Sequence, residues 1–229
     1  MKITLTRNEI QAALLFARRD ETRFIINGLN IEIKPHKDPL LVATDGRRIA
    51  VIKSVYATDY DPAKADTVTL GPVFLKTACS LSLKYSRKIS QITIETAGNS
   101  ATARGVGFTF TDEKGVINGS FPQWKQIIPG KRTSGAATEI CFNPSYMADY
   151  YTAAKLLRLV TSNSTGLRVQ IPVNGEAFEI KLGTFGEFYS LLMPMRFDSP
   201  MDNYKDIFLK DYLDAPAPAA EPVKAEVKP

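Results

Sequence analysis

Most of the side chains that carry enzyme chemistry are scarce in this chain. Its 229 residues hold one histidine, two cysteines and one tryptophan. His36 stands in a Pro-flanked stretch, PHKDP, with no serine or cysteine nucleophile signature around it and no second histidine for a metal pair. It reads as an exposed turn residue. Cys79 and Cys141 lie far apart in apolar-periodic surroundings without CxxC spacing, which argues against a zinc or disulfide framework and for buried free thiols. No GxxxxGK[ST] phosphate loop occurs, and Gly105-Val106-Gly107 falls between strand-like segments, not before a helix, so it is no dinucleotide fingerprint. Asp20, Glu21 and Asp45 are scattered carboxylates; a magnesium-dependent nuclease built on them is the weakest of three readings. No metal or cofactor is expected.

Long apolar runs are absent too. Nothing approaches the roughly 18 apolar residues of a membrane span, and the opening MKITLTRNEI lacks the apolar segment of a signal peptide. A cytoplasmic location with no membrane contact is expected. The apolar fraction, 44%, is ordinary for a chain that buries a core. The net charge is +5, but residues 198–229 hold seven acidic groups against four lysines, which leaves +8 on residues 1–197. That excess favours a polyanionic partner, because phosphate contacts release counterions.

Three places in the chain read as a short strand, a helix start and a run of strands. Residues 3–5 lead to Thr6-Arg7-Asn8-Glu9, a capping box, with a helix to about Arg19. Residues 68–70 lead to Gly71-Pro72, where proline suits the first helical turn, and Phe74, Ala78, Leu81 and Tyr85 mark one face. Residues 140–142 lead to Asn143-Pro144, with Asn143 as cap and Met147, Tyr150, Ala154 and Leu157 at helical spacing. Strand-rich sequence follows each helix, at residues 24–33 and 40–55, then 92–110, then 167–180 and 188–193. Each unit is therefore β-α-β-β-β in an α+β fold, and two such units side by side share one core. Units one and two are expected to form a complete domain over residues 1–128, and unit three half a domain over 129–197. Residues 198–229 form an extension, disordered beyond about 214 because few large apolar groups offset its ordering entropy.

Two distant segments stand out: residues 43–49, ATDGRRI, and 188–196, FYSLLMPMR. Flexible thioethers beside a rigid proline suit a surface that accepts other proteins' peptides. Together with residues 121–129 (FPQWKQIIP), 20–28 (DETRFIING) and 142–146 (FNPSY), they resemble the bacterial DNA sliding clamp, the β subunit of DNA polymerase III. The resemblance covers that family's middle domain and the second half of its last domain. It implies a clamp fold, a peptide groove and a surface toward DNA. In that family each domain pairs two units, and twelve helices line a ring around duplex DNA; at three units per chain, twelve units correspond to four chains.

Carried over residue by residue, the implied groove wall comprises Ile26, Thr44, Gly46, Arg48, Ile49, Pro122, Ile127, Leu191, Leu192, Met193, Pro194, Met195 and Arg196. Where the family usually has a second basic residue after its aromatic, this chain has Lys125 followed by Gln126. The implied DNA contacts are Arg18, Arg19, Arg23, Phe24, Lys84, Arg87 and Lys88. The implied function is a non-enzymatic polymerase processivity factor. Its partners would be double-stranded DNA, polymerase subunits and other proteins bearing clamp-binding peptides, and a clamp loader. Self-association is favoured over the tail segment 203–213 as the cover of the unpaired third unit. The competing reading is an adaptor or inhibitor that keeps the groove without encircling DNA.

Overall fold

Alternating apolar residues and local caps set the element order. The computed structural model describes residues 1–17, 26–86, 90–127, 142–159, 167–170, 177–182 and 187–195. Strand β1 (Lys2–Thr6) enters helix α1 (Arg7–Leu14), followed by β2 (Leu29–Ile33), β3 (Leu40–Thr44) and β4 (Arg48–Lys53). The second unit is β5 (Asp66–Leu70), α2 (Pro72–Tyr85), β6 (Gln91–Ala97), β7 (Ser100–Gly105) and β8 (Phe108–Asp112). A 3-10 turn at Trp124–Ile127 precedes α3 (Ser145–Leu156), β9 (Leu167–Gln170), β10 (Phe178–Leu182) and β11 (Phe188–Leu192). The β-α-β-β-β plan holds for units one and two. In unit three the expected first strand, residues 140–142, lies outside the described residues except for Phe142.

The cap of α1 is the box read from sequence: Glu9 N donates to Thr6 Oγ1 at 3.2 Å, and Thr6 N donates to Glu9 Oε2 at 2.9 Å. The Glu9 carboxylate is buried because its other oxygen accepts from Ser54 Oγ at 2.7 Å, which fastens the helix start to the end of β4. Pro72 opens α2 after Gly71. In α3, Asn143 Oδ1 accepts from Ser145 N at 3.0 Å, but the N-cap is Pro144 and not Asn143, and the helix begins at Ser145, one residue later than expected. The buried face of α2 is Phe74, Leu75, Ala78, Cys79 and Ser82. Tyr85, placed on that face from spacing, is exposed at the helix end and stacks on Phe108.

Two sheets result, in the orders β1-β6-β7-β8 and β5-β2-β3-β4-β11-β10-β9. Units one and two exchange their first strands: β1 of unit one pairs antiparallel with β6 of unit two, and β5 of unit two pairs antiparallel with β2 of unit one. Unit three adds its sheet to unit one through β4 and β11, from Arg48↔Leu192 to Ile52↔Phe188. Helix α1 packs against both α2 and α3. Met1–Met195 form one compact unit. The boundaries expected near 128 and 198 fall in stretches outside the described residues.

Period two along β4 and β11 divides the sheet's two sides. Ala50, Ile52, Phe188 and Leu192 join the main core with the helices. Ile49, Val51 and Leu191 point the other way, to a smaller cluster with Val42, Ala177 and Trp124. The site lies over this second cluster.

Candidate peptide groove and nucleic-acid face

The groove begins with a turn. Between β3 and β4, Asp45 Oδ1 accepts from the backbone of Arg47 (2.9 Å) and Arg48 (3.0 Å), while Thr44 Oγ1 donates to Arg48 O at 2.7 Å and accepts from Gly46 N at 3.1 Å. Gly46 has φ of 86°, a left-handed conformation that glycine adopts without a Cβ penalty. Met193 N donates to Arg47 O at 2.8 Å, so the end of β11 is tied to this turn.

On the other flank, Trp124 is held by Glu32 of β2. Its Nε1 donates to Glu32 Oε1 at 2.7 Å, and Lys125 Nζ, 5.0 Å from the indole centroid, donates to Glu32 Oε2 at 2.6 Å. This fixes the 3-10 turn that carries Gln126 and Ile127.

Between these flanks lies a concavity of about 490 Å³ that includes Thr44, Gly46, Ile49, Ile127, Leu191 and Met193. Its volume falls in the range of ordinary small-ligand sites. The floor is apolar, while Ile127 and Met193 stand about half exposed at its edge. Ile26 flanks the turn, since a Cβ added to Gly46 would sit 3.7 Å from Ile26 Cδ1.

Five residues of the implied wall lie elsewhere or contribute differently, among them Pro194, which follows Met193 but does not line the concavity. Leu192 faces the main core, as alternation along β11 requires. Pro122 lines a separate depression with Asn30, Thr67 and Thr69. Met195 is exposed beyond the concavity. Arg48 borders the concavity, but its guanidinium is on the helix side, buried between the rings of Phe16 (4.8 Å) and Tyr146 (4.2 Å). There it donates to Asp45 Oδ2 at 3.0 Å, Asp149 Oδ2 at 2.6 Å and Leu15 O at 3.0 Å. Arg196 lies outside the described residues.

Beside Arg48, Ser190 Oγ donates to Ile49 O at 2.6 Å, so the Tyr150 hydroxyl donates to Ser190 Oγ at 2.7 Å. Burial pushes the Tyr150 phenol up to about 12, against the opposing pull of Ser190 and Arg48. Tyr150 therefore stays neutral and seals the junction of units one and three.

Helices α1 and α3 lie on the opposite side of the seven-stranded sheet, and α2 packs on α1 and on the four-stranded sheet. Lys76, Lys84 and Lys155 are exposed on these helices, whereas the acidic residues of the described helices, Glu9 and Asp149, are engaged with Ser54 and Arg48. Of the implied DNA contacts, Lys84 in the last turn of α2 is described; Arg18, Arg19, Arg23, Phe24, Arg87 and Lys88 lie outside the described residues. Lys76 and Lys155 were not read from sequence as members of this face, although their place on helices of repeated units was available as a signal.

Comparison with solved structures gives the architecture a name. A Pseudomonas aeruginosa DnaN sliding clamp bound to griselimycin superposes with a TM-score of 0.66 at 15% identity, over 86% of this chain and 66% of that one. The fold is that of the bacterial DNA sliding clamp. A Streptococcus pneumoniae DNA polymerase III β chain matches at TM-score 0.65 and 17% identity, over 86% of this chain and 65% of its own. The Borrelia burgdorferi β subunit, solved with a natural product, matches at TM-score 0.67 and 14% identity, over 86% and 63%. This chain thus spans just under two thirds of the first clamps it matches. No protein-family model and no curated protein matches the sequence. Among the described residues, no helix of this clamp fold is long and apolar enough to cross a membrane.

Proposed function

We propose that the protein is a DNA sliding clamp: a polymerase processivity factor that binds duplex DNA without sequence preference and performs no chemistry of its own. It works in the cytoplasm as a homo-oligomer, placed on DNA by a clamp loader. Its groove receives short peptides of DNA polymerase subunits and other replication proteins.

The observation that supports this best is the presence of two unlike surfaces, an apolar groove on the seven-stranded sheet and a helix layer with exposed lysines. Over Ile49 and Leu191 lies an apolar concavity, and among the described residues of the helices Lys76, Lys84 and Lys155 are the exposed charges. Apolar anchors in the groove would each contribute about 1.5–3 kcal/mol if fully buried, so three near the upper figure give roughly micromolar, exchangeable binding. Lysines that meet phosphates without reading bases suit movement along DNA.

Titration of the full chain with a fluorescent clamp-binding peptide and, separately, with duplex DNA over a series of salt concentrations tests both surfaces. Saturable one-to-one peptide binding is expected, with DNA affinity falling by about 0.9 log units per phosphate contact for each tenfold rise in salt. Peptide binding without any salt-dependent DNA binding selects the adaptor reading; absence of both removes the proposal.

A further inference from the structure

The groove has a charged neighbour on its own side of the seven-stranded sheet. Along β4, Ile49 and Val51 face the second cluster, and the same alternation carries Lys53 to that side. Leu40, directly opposite Lys53 on β3, packs against this cluster as well. The groove side thus continues to the loop that joins β2 to β3.

A hollow of about 750 Å³ opens there, at the end of β3 away from the turn that carries Gly46. Four lysines, Lys34, Lys37, Lys53 and Lys125, line it against a single carboxylate, Asp38. The loop is fastened in place, because His36, at φ of 56°, donates its backbone N–H to Pro62 O at 2.8 Å. Only part of the charge is balanced. Lys53 lies 3.7 Å from Asp38 and Lys125 is bound to Glu32, whereas Lys34 and Lys37 are exposed and have no acidic partner among the described residues.

The 3-10 turn joins this hollow to the groove. Trp124 and Lys125 border the hollow, and Gln126 and Ile127 border the groove. Strand β3 runs from Leu40 at the one to Thr44 at the other, about 13 Å at roughly 3.3 Å per residue. An extended peptide covers that distance, and the turn between, in about four to six residues.

We infer that the hollow is a second subsite for the peptide that the groove receives, taking Asp or Glu side chains about four to six residues from its apolar anchors. It rests on the groove reading and deepens it by giving the partner a charge. Carboxylates suit exposed lysine ammoniums at an open site: each pair is weak, but together they steer encounter and fix the direction of the chain. Nucleic acid suits the hollow less well. It lies on the groove's side of the sheet, away from α1 and α3, and Trp124, 7% exposed with its Nε1 on Glu32, offers little ring for a base to stack on.

The test uses the full chain and a fluorescent clamp-binding peptide, alone or extended at either end by a four-serine spacer and then three glutamates or three glutamines. At low salt, glutamates at one end are expected to raise wild-type affinity about three- to tenfold over glutamines, and the gain should vanish in 1 M salt, where screening acts over about 3 Å. Lys34→Glu together with Lys37→Glu is expected to erase the gain and leave the affinity for the glutamine peptide and the circular dichroism spectrum unchanged. Equal wild-type affinities for both extensions, or a gain that the double variant keeps, overturn the inference while binding of the unextended peptide upholds the groove. Loss of DNA binding in the double variant without any change in peptide preference assigns the hollow to nucleic acid and overturns it too. If no peptide binds at all, the groove reading falls and the subsite with it.

Discussion

Arg48 Nη2 donates to Asp149 Oδ2 at 2.6 Å, and this largely buried pair joins β4 of the first unit to α3 of the third. Arg48 is a strand residue whose side chain turns to the helices, so the contact holds the helix layer and the extended sheet in register. It lies directly behind the groove.

Removing Arg48 should therefore loosen the third unit first. Arg48→Ala leaves Asp149 and Asp45 facing each other without their shared cation and is expected to cost about 3 kcal/mol, toward the lower end for a broken buried pair because Asp149 is partly exposed. Asp149→Asn keeps a hydrogen-bond acceptor and should cost about 1 kcal/mol. Urea unfolding gives the magnitudes, and hydrogen exchange should rise in α3 before α2. Equal exchange in both helices would contradict the role assigned to the pair.

The groove makes a sharper distinction than its sequence suggests. Met193→Asp places a charge at the concavity and is expected to weaken peptide binding at least about tenfold, roughly 1.4 kcal/mol, without loss of fold. Met195→Asp, two residues on but outside the concavity, should change affinity by less than about threefold, the scale of an ordinary surface change. Fluorescence polarisation of a labelled peptide separates the two. Equal losses would place the site elsewhere.

Glu32 should be readable through the single tryptophan. Glu32→Ala removes both the acceptor for Trp124 Nε1 and the anchor of Lys125, at an expected cost of about 1–3 kcal/mol. Tryptophan emission should shift to the red as the 3-10 turn loosens, and peptide affinity should fall with it. Unaltered emission would mean that Trp124 is held by packing alone.

Alkaline pH should destabilise the protein through two buried acids. Burial raises Tyr150 from 10.0 and Cys79 from 9.0, each to about 12. Between those values the unfolded chain has lost protons that the folded chain keeps, so stability is full below about pH 9 and falls as pH rises toward 12. The loss is on the order of 3 kcal/mol for Tyr150 and 4 kcal/mol for Cys79. Urea midpoints across this range test it: Tyr150→Phe should flatten the decline by its own share, and an unchanged slope would contradict the assignment. In the native protein Cys79 should also resist alkylation until the chain unfolds.

Features carried by neighbouring residues were legible in the sequence. Thr6 and Glu9 announce α1 three residues apart, Gly71-Pro72 announces α2, and the strand runs after each helix fix the repeat. Pairing between distant strands was not, because nothing local to residues 2–6 says that they lie beside residues 91–95. The same holds for the groove. Residues 43–49 and 188–193 meet through β4 and β11, but strand alternation sends Leu191 and Leu192 to opposite faces, so reading the segment as one wall joins residues of both sides. Arg48 reads as a groove-wall residue in sequence because its partner Asp149 is 101 residues away.

The most direct test of the clamp account is retention on circular DNA. Protein loaded onto nicked circles should remain bound through a high-salt wash and be lost when the circle is cut once, since a linear duplex lets a ring slide off its ends. Equal loss from circular and linear DNA in high salt would contradict encirclement and leave only electrostatic binding.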